Sequence, residues 1–332
     1  NVDAMNAMIA DATKAPALNN RRFYFVGFSG TAREEWSFGY QLSRNVAGLI
    51  GVGAGLPPGI QLPDIATSDS APFDFFGGAG VTDFNYEEVL GLDDYLVAKR
   101  IPHRIRYYQG GHGWAPEPVM TEAIEWRELR AMKRGLADRR DLWLDSLFQR
   151  RRAAADSLDR SGSFYAAWLG FTALVEDFRG LREVDDVARR ADMLGRKKEV
   201  TRVITRNREL RTEQQETARN LAVFLERVRT SRKPPSRSSA LEELEVRRWQ
   251  RASGERDTVE AFAAQRRLEN IMVMTSYYGP RDYLAAGDGV RALALLDIAE
   301  AIRPGLPYVC ETRGKALRLM GRAAEACKGV GD

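Results

Sequence analysis

A hydroxyl attacks a carbonyl carbon efficiently only when a base takes its proton. This chain offers two imidazoles for that task, His103 and His112. Of its serines, Ser29 has the most suggestive setting. In RRFYFVGFSGTAREEW, Arg21 to Trp36, the apolar run Phe23–Phe28 ends on a serine between Gly27 and Gly30, and a polar, helix-like pattern follows at once. A strand that turns sharply into a helix needs small residues on either side of the turn, and a serine there is held out on a strained backbone. Gly30 would give its backbone N–H, at a helix N-terminus, to a developing oxyanion. Alone the pattern is weak: Gly-x-Ser-x-small arises by chance in about one chain of this length in three. Thr31 also stands where a second glycine is usual. His103 opens a strand-like run just after Pro102 and reads as a satisfied strand residue. His112, in YYQGGHGWAPEP, follows that run in a loop freed by glycines, where a plain solvent-facing histidine is the alternative. The acid that would orient the imidazole should follow the penultimate strand, where Asp83 stands; Asp74 would enter that strand at its wrong end, and Asp64 and Asp69 in a long loop are the reserve candidates.

Positioning these groups falls to a set of short apolar runs. Phe23–Phe28, Val46–Ala54, Phe73–Ala79 and His103–Tyr108 are aromatic or β-branched, bounded by Gly or Pro, and predict strands. Between and after them, Arg33–Ser43, Tyr86–Lys99 and Glu117–Lys133 predict helices. Strands separated by helices imply parallel pairing, hence a mostly parallel α/β sheet. The Gly- and Pro-rich run from Gly53 to Pro72 is a loop at the carboxyl end of a strand, where such folds put their sites.

With the elements in this order, residues 1–133 resemble the C-terminal part of an α/β-hydrolase, of the kind similar to dienelactone hydrolases and polyhydroxybutyrate-depolymerase-like esterases. The motifs that carry the resemblance are VGFSGTAR, GAGVTDFNY and IPHRIRYYQGGHGW. It implies Ser29 as nucleophile, His112 as general base and then acid, Asp83 as the residue orienting the imidazole, and hydrolysis of an ester through an acyl-enzyme, with no cofactor and no metal. Trp36, Phe84, Tyr86 and Trp114 flank the site so implied and would suit an apolar or aromatic acyl group. Only 28 residues precede Ser29. By the resemblance, earlier strands and a second oxyanion donor would lie upstream of Asn1. Loss of one such donor costs about 10²–10³ in rate, so the chain by itself is expected to be a weak or inactive catalyst. No location in the cell is implied.

From about Trp126 the character changes. Glycine thins out, arginine and glutamate rise, and apolar residues recur at helical spacing: Leu142, Leu144, Leu147, Phe148, then Trp168, Phe171, Leu174 and Val175. The expectation is an all-α region in two parts, 134–231 and 240–332, joined by a linker at 232–239, RKPPSRSS. A shift of 34 places puts Gly287 on Gly321 and Ala292 on Ala326, with Ala299 and Pro304 at the expected later places. This resembles tetratricopeptide repeats, one copy at 273–306 and a partial one at 307–332, with Ser276 and Pro280 predicting an irregular first helix. Such repeats imply a protein partner. A non-catalytic interaction scaffold with a degenerate hydrolase domain is therefore the alternative.

The remaining features mainly exclude. Net charge is +4 and no run of 18 apolar residues occurs, so nothing favours a polyanion partner or a membrane span. The basic stretch Gly195–Arg211 is interrupted by Glu199 and Glu209 and carries no aromatic residue for stacking; it reads as a solvated helix face rather than a nucleic-acid site. Cys310 and Cys327 form no ligand cluster and are expected to pack as small apolar side chains.

Overall fold

The computed structural model describes residues 2–14, 18–57, 59–65, 71–255 and 258–322. Four strands, β1 (Phe23–Phe28), β2 (Val46–Val52), β3 (Asp74–Gly80) and β4 (His103–Tyr108), form one parallel sheet in that order. The helices in the first part of the chain are α1 (Val2–Ala12), α2 (Gly30–Gln41), α3 (Tyr86–Ala98), α4 (Glu117–Lys133), α5 (Asp141–Arg160), α6 (Phe164–Phe178) and α7 (Asp185–Gly195). Then come α8 (Lys198–Thr230), α9 (Arg237–Glu243), α10 (Val246–Ser253), α11 (Val259–Val273), a π-helical turn at Met274–Tyr278, α12 (Gly279–Ala285), α13 (Gly289–Ile302) and α14 (Pro307–Leu319). The chain divides into two compact units: residues 1–79, 88–108 and 113–209, and residues 80–87, 109–112 and 210–332. Contacts thus draw the division through α8 and through two loops, whereas the composition suggested breaks at 133/134 and at 232–239.

In the first unit, β2 is buried along its whole length, as a central parallel strand should be. Leu49 and Phe75 face α2 and α3 through Trp36, Leu92 and Leu96. Ile50 and Phe76 face α4 through Ala123 and Trp126. The apolar face of α4 continues into α5, α6 and α7 through Leu129, Leu147, Phe148, Phe171, Phe178 and Val187. Leu142, counted in that helical stripe from its spacing, is instead 89 % exposed at the start of α5.

The second unit is helical around Leu221, Phe224, Trp249, Leu268, Ile271 and Leu295. Ser236 caps α9 by accepting from the Ser239 amide, which ends the break at RKPPSRSS. The irregularity expected near Ser276 and Pro280 takes the form of the π-helical turn, followed by a close approach: a Cβ on Gly279 would overlap Leu295. Gly287 and Gly321, which the sequence shift aligns, both adopt positive φ, 76° and 71°. Ala326 and the end of the partial second repeat lie outside the described residues. Cys310 is half-buried on α14, and Cys327 lies outside the described residues. Among the described residues, no helix is long and apolar enough to cross a membrane.

Candidate functional site

The serine turn is built almost entirely from neighbours in sequence. β1 ends at Phe28, Ser29 takes φ 53° and ψ −117°, and α2 begins at Gly30. A positive φ is costly for any residue with a Cβ, on the order of 1–3 kcal/mol. Two features hold it. A Cβ on Gly27 would lie 2.6 Å from both the amide nitrogen and Cα of Ala32, so only glycine lets the first turn of α2 close onto β1. The Thr31 hydroxyl accepts from the Phe28 amide at 2.9 Å and donates to the Phe28 carbonyl at 2.8 Å. The residue that departs from the usual glycine is thus a staple across the turn. Ser29 itself is anchored by its amide, which donates to Val52 O of β2 at 2.8 Å.

Farther along α2, Arg33 forms an ion pair with Glu88 of α3, and Glu88 also accepts from the Gly55 amide at 3.0 Å. The turn, the 53–57 loop and α3 are therefore tied together. Glu35 is less comfortable. Both its oxygens lack a hydrogen-bond partner, one pressed to within 2.6 Å of where a Cβ on Gly51 would stand, and burial pushes its carboxyl well above the ordinary 4.5 despite the opposing charge of Arg127. Arg127 lies across the other face of β2, where Gly48 makes room for it. There it is fully desolvated and lowered to about 10, its plane near Tyr24 and Trp126.

The acid and the base belong to the second unit, and the structure brings them together. Asp83 lies three residues past the end of β3, with no exposed surface. His112 lies four residues past the end of β4. The imidazole Nδ1 stands 3.0 and 3.1 Å from the two Asp83 carboxylate oxygens. A carboxylate can only accept, so this pairing puts the proton on Nδ1 and leaves the lone pair to Nε2. The two loops meet backbone to backbone. A Cβ on Gly80 would overlap the carbonyls of Gly110 and Gly111, and the Thr82 amide and hydroxyl both donate to Gly110 O, at 3.0 and 2.9 Å. Asp83 is further fixed by the Asn85 amide, which donates to its Oδ1 at 2.8 Å. Phe84 packs against the imidazole, with ring centroids 4.3 Å apart and the planes tilted by 38°.

The other candidates sort by their surroundings. His103 is a satisfied strand residue, with Nδ1 2.6 Å from Ile101 O and Nε2 3.0 Å from Asp93. Asp74 enters β3 at its amino end and pairs with Arg130 at 3.0 Å, while Asp64 is an exposed partner of Lys99. Asp69 lies outside the described residues. Trp36, expected to face an acyl group, is a core residue with no exposed surface, packed on Phe75 with centroids 4.6 Å apart. The reason is periodicity: Ala32, Trp36 and Gly39 share the buried stripe of α2 that lies on the sheet. Tyr86 lies beneath the guanidinium of Arg266, 4.0 Å from its ring centroid. Trp114 is half exposed and packs on Phe28, centroids 5.5 Å apart, beside the serine turn.

No protein-family model matches the chain, and no curated protein or solved structure matches it either. Among the described residues, no group of three or more His, Cys, Asp or Glu is placed to hold a metal ion.

Proposed function

We propose that this chain carries the serine-hydrolase site of an α/β-hydrolase-type esterase, with Ser29, His112 and Asp83 as its triad. The observation that carries the reading is the Asp83–His112 pair: a fully buried carboxylate shares both oxygens with Nδ1 of an imidazole. The strained backbone of Ser29, the following helix start at Gly30 and the order Ser, Asp, His past the ends of β1, β3 and β4 support it.

In the reaction so read, His112 Nε2 takes the Ser29 hydroxyl proton as Oγ bonds to the acyl carbon. The oxyanion that forms is met by the Gly30 amide at the start of α2. Collapse breaks the bond to the alcohol, which leaves with the proton returned by His112. Water then repeats the sequence on the acyl-enzyme, releasing the acid and restoring Ser29. Asp83 holds the imidazole tautomer and stabilises the imidazolium. Trp114 and Phe84 are the aromatic residues at hand for an apolar acyl group.

The stretch 273–306 and the partial copy that begins at 307 are read as tetratricopeptide-like, on the matched glycines Gly287 and Gly321, and as a surface for a protein partner. A pure scaffold is the weaker reading, because it has no use for a serine held at positive φ at a cost on the order of 1–3 kcal/mol. A fluorophosphonate probe tests the choice without needing turnover. Ser29 is expected to be labelled, and His112→Gln to slow labelling at least a hundredfold. Labelling of Ser29 no faster than of surface serines would favour the scaffold.

A further inference from the structure

The loop that carries Asp83 is short, polar in backbone, and gripped from a direction the sequence did not suggest. Arg266 and Asn270 stand four residues apart on α11, hence on one face of that helix. Arg266 Nη1 donates to Val81 O at 2.8 Å. Asn270 Nδ2 reaches Phe84 O at 3.4 Å. These carbonyls lie two residues before and one residue after Asp83, so α11 holds the acid's backbone on both sides. The same guanidinium covers the ring of Tyr86 at 4.0 Å and stands 3.8 Å from Glu87, spanning the loop from Val81 to the first turn of α3. Arg266 is nearly fully buried, and its neighbour Arg267 is locked to Gln214 at 2.9 Å and Glu213 at 3.0 Å on α8. The helix is therefore a stiff support. A backbone held at two carbonyls leaves the carboxylate few orientations, and here the occupied one meets Nδ1 of His112.

We propose that Arg266 and Asn270 are positioning residues that set the Asp83–His112 pair, so that the helical region supports the acid and the base of the proposed triad. The proposal rests on the triad reading for its functional consequence, though the contact it predicts can be observed without catalysis. Truncating the guanidinium while keeping its apolar stem, in Arg266→Met, removes the donor to Val81. The loop can then shift along β3's end, and the bond from Nδ1 to Asp83 lengthens or fluctuates.

The test uses the fact that the chain has only two histidines, each with a ring nitrogen 3.0 Å from a carboxylate oxygen. Hydrogen-bonded imidazole N–H protons resonate far downfield in the proton NMR spectrum, and His112→Gln assigns the one from His112. In Arg266→Met the His112 signal is expected to broaden or vanish while that of His103 stays, which certifies the fold. Arg266→Lys, which restores a donor, should recover it. Asn270→Ala, the milder change, should weaken it and serve if the arginine variant fails to fold. Fluorophosphonate labelling of Ser29 should slow tenfold to a hundredfold in Arg266→Met and recover in Arg266→Lys. A His112 signal unchanged in both Arg266→Met and Asn270→Ala would overturn the proposal. If the signal responds but Ser29 never labels, even in the unaltered chain, the positioning role stands and the hydrolase reading falls.

Discussion

The serine turn and the acid–base pair are built in opposite ways. Gly27, Ser29, Thr31 and Ala32 fall within six residues, and almost everything that strains and staples the turn lies among them. The Asp83–His112 pair is assembled from residues 80–87, residues 109–112 and a helix some 180 positions farther along the chain. One region depends on local backbone geometry, the other on long-range support. Substitutions should therefore damage them differently: the first through strain and stability, the second through orientation and rate.

The largest expected effect is on the second region. Asp83→Asn keeps the size of the side chain but replaces an acceptor-only group with an amide that can present a donor to Nδ1. By the logic of such triads it should cost about 10⁴ in the rate of acyl transfer to Ser29, measured with an activated ester or by probe labelling, with little change in melting temperature. A drop below tenfold would mean that the pair is a structural hydrogen bond.

A matched pair of alanines separates the regions next. Gly27→Ala puts a methyl group 2.6 Å from the Ala32 backbone and should destabilise the fold by about 3 kcal/mol or more. Gly80→Ala forces its methyl group against the Gly110 and Gly111 carbonyls, where the loops can part. It should cost less in stability but separate acid from base, lowering labelling while the protein stays folded. Thermal melts alongside labelling rates check this. Equal stability losses with unchanged labelling in Gly80→Ala would erase the distinction.

The smallest effect sharpens the first region. Glu35 keeps its proton in the folded protein above the pH at which the unfolded chain, near the ordinary 4.5, has lost it. The folded state then binds more protons, so this residue's contribution to stability falls as pH rises above that value. Glu35→Met removes two unpartnered buried oxygens and should stabilise by about 1–3 kcal/mol at neutral pH, with a gain that grows from pH 5 to pH 8. Denaturant titrations at both values decide it; a gain that is flat with pH would mean that the carboxyl ionises normally in the fold.

How much of this could be read from sequence follows the same division. The bounds of β1, β4 and α4 match their patterns residue for residue, because Phe23–Phe28, His103–Tyr108 and Glu117–Lys133 carry their own punctuation in glycine and proline. The tight turn at Ser29 is legible for the same reason, and the Asp83–His112 contact through its place after two strands. Trp36 was misplaced because closeness to Ser29 in sequence outweighed its seat on the buried stripe of α2. Gly48 and Gly51 give no sign in VAGLIGV that they leave room for Arg127 and Glu35. Thr31 read as a flaw because the bonds its hydroxyl makes depend on the turn already formed. Arg266 and Asn270 were beyond reach, since nothing local in α11 encodes carbonyls some 185 residues away.

The most direct measurement is a crystal structure of the chain after reaction with a phosphonate ester. Phosphorus is expected on Ser29 Oγ, with His112 Nε2 within about 2.6–3.2 Å of that oxygen and Asp83 still on Nδ1. Phosphorus on another residue, or a modified Ser29 with the imidazole turned away from it, would rule out the Ser29–His112–Asp83 triad.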